Sequence, residues 1–562
     1  MIVGGQEEER INMTIFHPKL LTTLKNYSRK QFLQDVTAGT IVAIIALPLS
    51  IALAIASGVA PEQGLYTAII AGFIISLLGG SRVQIGGPTG AFMIIVYGIV
   101  TKYGMEGLIT ATLMAGILMI LFGVLRLGIV VKYIPYTITT GFTTGIALTI
   151  FTSQIKDFFG MSILDMPSEF IGKWVAYAGA MSTVNYWAFA IGGLTVAIIL
   201  LTPKVTSKIP GAFIAIVVTS VIVALSGVDV ATIGSKFGDM STKLPSLSLP
   251  GLSIETIRVL FPSALTIALL GSIESLLSAV VADGMIGGKH RSNTELIAQG
   301  IANIASALFG GIPATGAIAR TAANIKNGGR TPIAGMTHAV VLLIIFLVFM
   351  PLAKLIPLAA LAGILIVVAY NMSEIHVFLQ LLKSQRGDVL VLLLTFGLTV
   401  FVDLVVAIEF GMVISAFIFM KRMSESTYIR ELVVDAAEVV DSKGTDEVLE
   451  VISNPDIQVY EINGPLFFGA ADTFIEELTN VSHTCDTLIL RMRHVAMIDA
   501  TALRALKIVI KRCQKHKINV LITGLQAAPE KVLENAGIRA ELGETNFFAS
   551  VKEAVAYAKS SK

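Results

Sequence analysis

Long apolar segments follow one another from about residue 35 to residue 421, with only short polar breaks between them. Most have about 15–24 residues, and a helix needs roughly 20 apolar residues to cross the hydrocarbon core of a bilayer. The sequence therefore predicts a polytopic α-helical membrane protein. We count fourteen candidate spans, which begin near residues 35, 63, 88, 107, 132, 186, 211, 258, 292, 315, 333, 355, 388 and 404.

Two of these segments, near residues 88 and 315, are short and begin with Gly and Pro. Twelve spans with two re-entrant loops therefore remain an alternative to fourteen. The composition supports either membrane arrangement, because 54% of the residues are hydrophobic and only 14% are charged, whereas soluble domains carry about 25% charged residues. A net charge of +2 without a basic patch excludes nucleic acid as a partner.

The basic residues of the loops predict the orientation. Cytoplasmic loops are richer in Lys and Arg than the loops on the opposite side of a membrane. With the N-terminus inside, the inner loops hold Arg82, Arg126, Lys132, Lys204, Lys208, Lys289, Arg291, Lys326, Arg330, Lys383 and Arg386. The longer outer loops hold Lys102, Lys156, Lys173, Lys236, Lys243 and Lys354. Both termini are therefore expected in the cytoplasm, with the chain in the inner (plasma) membrane.

The character of the chain changes after residue 422, and we expect four regions. A cytoplasmic N-terminal segment covers 1–34, a transporter domain 35–422, an acidic linker or domain start 423–456, and a small α/β domain 457–562. In the last, IQVYEI (457–462), DTLILRM (486–492) and KINVLITGL (517–525) are typical of strands that alternate with helices. Cys485 and Cys513 lack nearby ligands, so no metal or cofactor is expected.

An internal repeat is the most informative feature of the apolar region. LLGGSRVQIGGPTGAF (77–92) and LFGGIPATGAIAR (308–320) share an apolar helix end, Gly-Gly, Pro, and a Thr-Gly-Ala that opens a new helix. Each copy is the third span of a seven-span half, with halves at about 35–228 and 258–421. Because seven is odd, the halves are inverted, and Gly/Pro-interrupted segments at matching positions of inverted repeats indicate a transporter's central site.

The repeat predicts two short half-helices that begin inside the membrane. The first backbone N–H groups of a helix have no helical partner, and they attract anions. Two such starts that face each other would bind a small anion, and small residues would let it approach the backbone closely. The residues expected to line this site are Thr89, Gly90, Ala91, Thr315, Gly316, Ala317, Ala319 and Arg320.

Two charged residues stand at membrane depth in this prediction. Arg320 lies little more than one turn past Thr315, where it attracts the anion or forms a structural ion pair or a helix-end cap. Glu274 lies in the apolar run that opens the second half, where a desolvated carboxyl carries a coupling proton or only holds helices together. Ser278 follows Glu274 by one turn on the same helix face.

These motifs resemble those of the SulP (sulfate permease) family of anion transporters, whose members carry a C-terminal STAS domain. PEQGLYTAIIAGFIISLLGGSR (61–82) is similar to the family signature, except that Gln63 replaces the usual tyrosine. Within the family, DGMIGGKHRSNTELIAQGIANI (283–304), GGIPATGAIARTAANI (310–325) and NMSE (371–374) are similar to the enterobacterial proton-coupled C4-dicarboxylate transporter. The resemblance covers roughly residues 30–560.

The resemblance implies a seven-plus-seven inverted repeat, an elevator-type movement of a core against a gate, and a homodimer. It also places Leu49 and Leu53 beside the anion, although some relatives have glutamine or phenylalanine there. The implied function is secondary active transport of a C4-dicarboxylate or sulfate with protons. Sodium-coupled bicarbonate transport and a passive anion channel or exchanger remain alternatives.

The C-terminal domain resembles anti-sigma-factor antagonists at MIDATAL (497–503). Those soluble relatives have a serine pair after the aspartate, where this chain has Ala500 and Thr501. The domain is therefore expected to make regulatory or dimer contacts, with a regulatory protein as a possible partner, and Thr501 is a weak candidate for phosphorylation. The sequence has no Walker motif, catalytic triad or metal cluster, so we do not expect an enzyme.

Overall fold

The computed structural model describes residues 16–129, 134–164, 166–167, 169–206, 209–238, 245, 247, 250–251, 253–402, 404–432, 456–479 and 485–560. The chain forms two compact units, Met1–Met412 and Val413–Lys562. This division does not test the predicted domain boundaries at residues 34, 422 and 456, which stay predictions. Asp403, which the apolar pattern also contains, lies outside the described residues.

The first unit is helical. Its first half comprises a short helix Lys19–Thr23 and then α1 Arg29–Ala56, α2 Pro61–Leu78, β1 Gly86–Gly87, α3 Gly90–Val124, α4 Tyr136–Phe158, α5 Phe170–Gly179, α6 Tyr186–Val205 and α7 Gly211–Ser226. A short helix, Ile233–Phe237, precedes the second half. That half comprises α8 Ile254–Ile286, α9 Ser292–Leu308, β2 Thr315–Gly316, α10 Ile318–Lys326, α11 Pro332–Ala353, α12 Leu358–Ser373, α13 Ile375–Leu381 and α14 Arg386–Phe401. The next helix, α15 Leu404–Ser426, begins in the first unit and ends in the second.

Each predicted apolar segment lies in one of these helices. The third and fourth segments are the two parts of α3, which are joined at Gly104, a residue with a φ of 67° that favours glycine. The tenth segment forms α10, whose nine residues span about 13 Å, less than half of a bilayer core. By length and composition alone, seven of the described helices are long and apolar enough to cross a membrane.

The two halves of the first unit pack in equivalent ways. In the first half α1 and α2 both pack on α11, and in the second half α8 and α9 both pack on α3. Likewise α4 packs on α14 as α12 packs on α6. In each case a helix of one half packs on a helix of the other half, and the matching helices make the matching contacts. An internal repeat with inverted copies produces this arrangement.

Glycines of α3 and α9 bring these two helices into close contact. A Cβ built on Gly116 would lie 2.6 Å from the carbonyl oxygen of Gly300, and one on Gly300 would lie 2.5 Å from that of Gly116. Only glycine allows this approach, in which small residues let two membrane helices pack backbone to backbone. It holds the helix that carries the first half-helix tightly against the second half.

Two fully buried carboxylates join the halves by hydrogen bonds. Glu295 on α9 accepts from the backbone N–H groups of Gly80 (2.8 Å) and Ser81 (3.1 Å), which follow α2, and from the side chains of Ser275 and Gln299. Asp35 on α1 accepts from the N–H groups of Arg330 and Thr331 and from side-chain donors that include Thr331 Oγ1 at 2.6 Å. A buried charge is tolerated only with such a full set of donors.

The second unit is an α/β domain. Its strands β3 Tyr428–Glu431, β4 Ile457–Asn463, β5 Thr487–His494, β6 Asn519–Thr523 and β7 Phe547–Phe548 form one sheet in this order. The first pair is antiparallel and the others are parallel. Its helices are α16 Phe468–Thr479, α17 Ala500–Lys515, α18 Ala527–Asn535, α19 Ile538–Leu542 and α20 Val551–Ser560. All three predicted strands are confirmed, and Thr501 is exposed in the first turn of α17.

The donors around Glu295 generate a stability prediction. We expect Glu295→Ala to lower the melting temperature in detergent, because it leaves two buried backbone N–H groups without an acceptor, at a cost of about 3 kcal/mol. The matched control is Glu106→Ala, which removes an exposed glutamate of α3. Equal melting temperatures for the two variants would show that Glu295 does not hold the halves together.

Candidate anion-binding site

The two copies of the Gly/Pro repeat meet in the structure. β1 and β2 pair antiparallel, with Gly86 opposite Gly316 and Gly87 opposite Thr315. The N–H of Ala317 also donates to the carbonyl oxygen of Ile85 at 2.8 Å. Since each two-residue strand runs directly into a half-helix, this pairing brings the starts of α3 and α10 together.

Neither half-helix start is capped by a side chain. Thr89 precedes α3 and Ala317 precedes α10, and neither side chain accepts a hydrogen bond from its helix. The first N–H groups of α3 and α10 therefore have no partner within their own helices. Together with the two helix dipoles, they give this place a positive partial charge that suits an anion.

Arg320 adds a full positive charge to the same place. Its side chain is only 4% exposed, and its Nη2 donates to the carbonyl oxygen of Pro88, the residue that precedes Thr89. Its Nη1 has no hydrogen-bond partner in the described part of the chain. Arg320 and Glu274 form no ion pair within 4 Å among the described residues, so the arginine has a donor left for a ligand.

Gly87 provides the space that this guanidinium occupies. A Cβ on Gly87 would lie 2.7 Å from Arg320 Nη1, and the φ of 147° at Gly87 is one that other residues rarely adopt. The glycine of the first repeat is therefore required by the arginine of the second.

Glu274 contacts the residue that precedes the first half-helix. Its carboxyl oxygen Oε2 accepts a hydrogen bond of 2.8 Å from Thr89 Oγ1, and its side chain is half-buried on α8. Thr315 contacts the same helix, because its Oγ1 donates to the carbonyl oxygen of Gly271 at 2.8 Å. The structure thus brings the predicted Thr89, Glu274 and Thr315 together around α8.

The apolar residues of the prediction lie in or against a hydrophobic cluster. Leu53 and Ala91 are buried in one hydrophobic cluster with Ile150 of α4, and Leu49 packs against this cluster. Gly90 opens α3 against Ile150, because a Cβ at that position would lie 2.7 Å from the Cδ1 of Ile150. A larger residue at this helix start would require the Ile150 side chain to shift.

Two predicted residues differ in their surroundings from the rest. Ala319 is exposed in the first turn of α10. Ser278 is fully buried, and its Oγ lies 3.3 Å from Thr321 Oγ1, whose oxygen also accepts the N–H of Ile85 at 3.0 Å. Ser278 therefore takes part in helix packing behind β1 rather than at the helix starts.

The sequence did not predict the polar side chains that hold the segments around β1 and β2 in place by hydrogen bonds. Gln84 Nε2 donates to Ser275 Oγ at 2.8 Å, and Ser275 in turn donates to Glu295. Asn303 accepts from the N–H of Ala314 and donates to its carbonyl oxygen, each at 2.8 Å. Amide and carboxyl side chains inside apolar runs were the available signal, since such groups are costly without partners.

Facing helix starts and an arginine inside a membrane unit define a secondary anion transporter, and the comparisons agree. Residues 32–395 match the sulfate permease family, and residues 449–554 match the STAS domain. The chain belongs to the sulfate permease family; it is a transporter and not an enzyme.

Two relatives illustrate the similarity. The chain is 43% identical to "Putative sulfate transporter YvdB" of Bacillus subtilis, over 93% of this chain and 97% of that one. It is 31% identical to the bicarbonate transporter BicA of Synechocystis, over 93% of each chain.

Two solved structures are also similar. The transmembrane domain of a cyanobacterial BicA is matched with a TM-score of 0.61 at 32% identity, over 69% of this chain and 98% of that one. SLC26A9 is matched with a TM-score of 0.85 at 17% identity, over 99% of this chain and 94% of that one, which shows the fold. The predicted fold class, a polytopic helical transporter with a C-terminal STAS domain, is confirmed.

The contact between Gly316 and Gln84 can be tested by mutation. A Cβ on Gly316 would overlap Gln84 Nε2, so we expect Gly316→Ala to break the Gln84–Ser275 hydrogen bond and to destabilise the protein by about 1–3 kcal/mol. Thermal unfolding in detergent measures the loss. The double variant Gln84→Ala/Gly316→Ala should regain part of it, whereas an unchanged melting temperature of Gly316→Ala would contradict this packing.

Proposed function

We propose that the protein is a proton-coupled secondary transporter that takes up a small oxyanion by an elevator-type mechanism. The observation that carries the proposal is the position of Glu274, hydrogen-bonded to the residue that precedes one half-helix while Arg320 contacts the same segment through Pro88. A carboxyl and a guanidinium thereby both contact the segment that leads into α3.

The coupling follows from electrostatics. When Glu274 is charged, its negative charge offsets that of Arg320 and repels an incoming anion. When Glu274 is protonated, the guanidinium and the helix dipoles attract the anion without opposition. Anion and proton then bind together, which is the requirement for symport.

The substrate is proposed from similarity. The 43% identical relative carries the name "Putative sulfate transporter YvdB", and the motifs at 283–304, 310–325 and 371–374 resemble the enterobacterial C4-dicarboxylate transporter. We propose sulfate and C4-dicarboxylates as the candidates, since both present oxygens to N–H donors. A thermal-shift panel with sulfate, succinate, fumarate and bicarbonate ranks them. Location in the plasma membrane, cytoplasmic termini and a homodimer belong to the same proposal.

Sodium-coupled bicarbonate transport is the second candidate, because the chain is 30–31% identical to two bicarbonate transporters. Uptake into proteoliposomes under a sodium gradient without a proton gradient distinguishes it from proton coupling. Flux that only follows the anion gradient would instead indicate a channel or exchanger.

The role of Arg320 is tested by anion binding. We expect Arg320→Ala to weaken binding more than about tenfold, because the charge-assisted donor at the helix starts is lost. Arg320→Lys should keep part of the affinity, since it retains the charge without the planar fork. Titration of each purified variant with sulfate and succinate measures this. Affinity that is unchanged in Arg320→Ala, with the fold intact, would refute the role.

The role of Glu274 is tested by transport. We expect Glu274→Gln to exchange anions across proteoliposome membranes but to lose accumulation driven by an inward proton gradient, because glutamine cannot take up or release the proton. Glu106→Gln on α3 is the matched exposed control. Accumulation that persists in Glu274→Gln would contradict proton coupling through this carboxyl.

A further inference from the structure

A polar cavity of about 890 Å³ lies in the membrane unit, apart from Arg320 and Glu274. Four lysines from four different elements line it: Lys102 of α3, Lys156 of α4, Lys173 of α5 and Lys236 of the short helix Ile233–Phe237. All four belong to the six basic residues that the loop pattern assigns to the outer side. The cavity, called the vestibule below, is therefore expected to open to that side.

Lys173 is the unusual member of this group. Its side chain is only 6% exposed, and its Nζ lies 5.9 Å from the ring centre of Tyr97. No carboxylate lies within 4 Å of it among the described residues. Burial lowers the pKa of this ammonium, because no neighbouring carboxylate compensates for the lost water.

The other charged groups around the vestibule do not neutralise Lys173. Asp157, Glu169 and Glu409 also line the cavity, but Glu169 and Glu409 are exposed, and Asp157 acts on its neighbour Lys156. Lys156 itself donates to the carbonyl oxygen of Ile163 at 2.6 Å. Buried cations are usually paired, so Lys173 has a place for an anion that the described residues do not fill.

The vestibule extends towards the half-helix start. Met93 and Ser153 line it, and Met93 lies one turn past Gly90 on α3. Ile150, one turn before Ser153 on α4, is fully buried and contacts Gly90. The vestibule therefore comes within about one helical turn of the start of α3.

We propose that the vestibule is a second anion-binding site, centred on Lys173 Nζ, which collects small anions on the outer side of the membrane. A buried ammonium that no carboxylate neutralises attracts small anions, which raises their local concentration and the rate at which they associate. The supply of substrate from this site rests on the proposed function. The binding of anions at Lys173 does not, so the two are tested separately.

Tryptophan fluorescence tests the binding. The chain has two tryptophans, Trp174 and Trp187, and the ring of Trp174, the residue next to Lys173, contacts two residues of the vestibule, Phe170 and Tyr177. In the Trp187→Phe protein, Trp174 is the single reporter. Quenching by iodide, an anion, is compared with quenching by neutral acrylamide.

We expect Lys173→Gln in this background to lower the iodide quenching constant at least about twofold and to leave that of acrylamide unchanged, because only the anion is concentrated by the lysine. Lys204→Gln, which removes an exposed lysine near the end of α6, is the matched control and should change neither. Sulfate should reduce iodide quenching in the parent more than potassium gluconate at equal ionic strength. Equal iodide quenching in the parent and Lys173→Gln would overturn the proposal.

Uptake into oriented proteoliposomes tests the supply of substrate. We expect Lys173→Gln to raise the KM for external sulfate or succinate several-fold at low ionic strength, with kcat unchanged. Salt should reduce the difference, because it screens the attraction between the vestibule and an anion in solution. An unchanged KM would overturn the supply role. A parent protein that transports neither anion would count against the proposed function. The quenching experiment would still show whether anions bind in the vestibule at Lys173.

Discussion

The antiparallel pairing of β1 with β2 is the contact on which the site depends. A bilayer offers no partner for free backbone groups, so a chain that breaks a helix at membrane depth must satisfy them within the protein. Gly86–Gly87 and Thr315–Gly316 do so for each other. The same two pairs leave the following helix starts side by side and uncapped, and this concentrates positive partial charge at one point.

Buried polar side chains hold this pairing in place. Glu295 contacts the backbone after α2, Gln84 and Asn303 brace the strands, and Asp35 holds the backbone that precedes α11. Glu295, Gln84 and Asp35 each join one half of the membrane unit to the other. Asn303 joins α9 to the segment that precedes β2. A low-dielectric interior makes such a network strong when its members are satisfied and costly when one is removed.

Much of the fold could be predicted from the sequence, because the length of an apolar run and the spacing of Gly and Pro are local properties. The segments near residues 88 and 315 identified both half-helices. Thr89 was named from the repeat, and Arg320 and Glu274 were named as charged residues at membrane depth. Gln84, Ser275 and Glu295 were missed, since a polar residue in an apolar run does not show which distant N–H group it contacts. Ser278 was named because it shares a helix face with Glu274, yet it contacts Thr321.

By itself, the sequence determined the class of this protein: a repeated membrane domain with two interrupted helices, one arginine and one glutamate at membrane depth, and a C-terminal α/β domain. Only the tertiary structure decided that Arg320 donates to Pro88 with one nitrogen and that Glu274 contacts Thr89. It also decided that, among the described residues, the other nitrogen of Arg320 has no partner and the buried Lys173 has no carboxylate beside it. The physical reason is that these contacts join residues up to 232 positions apart, and their partners are chosen by helix packing, which no local pattern encodes.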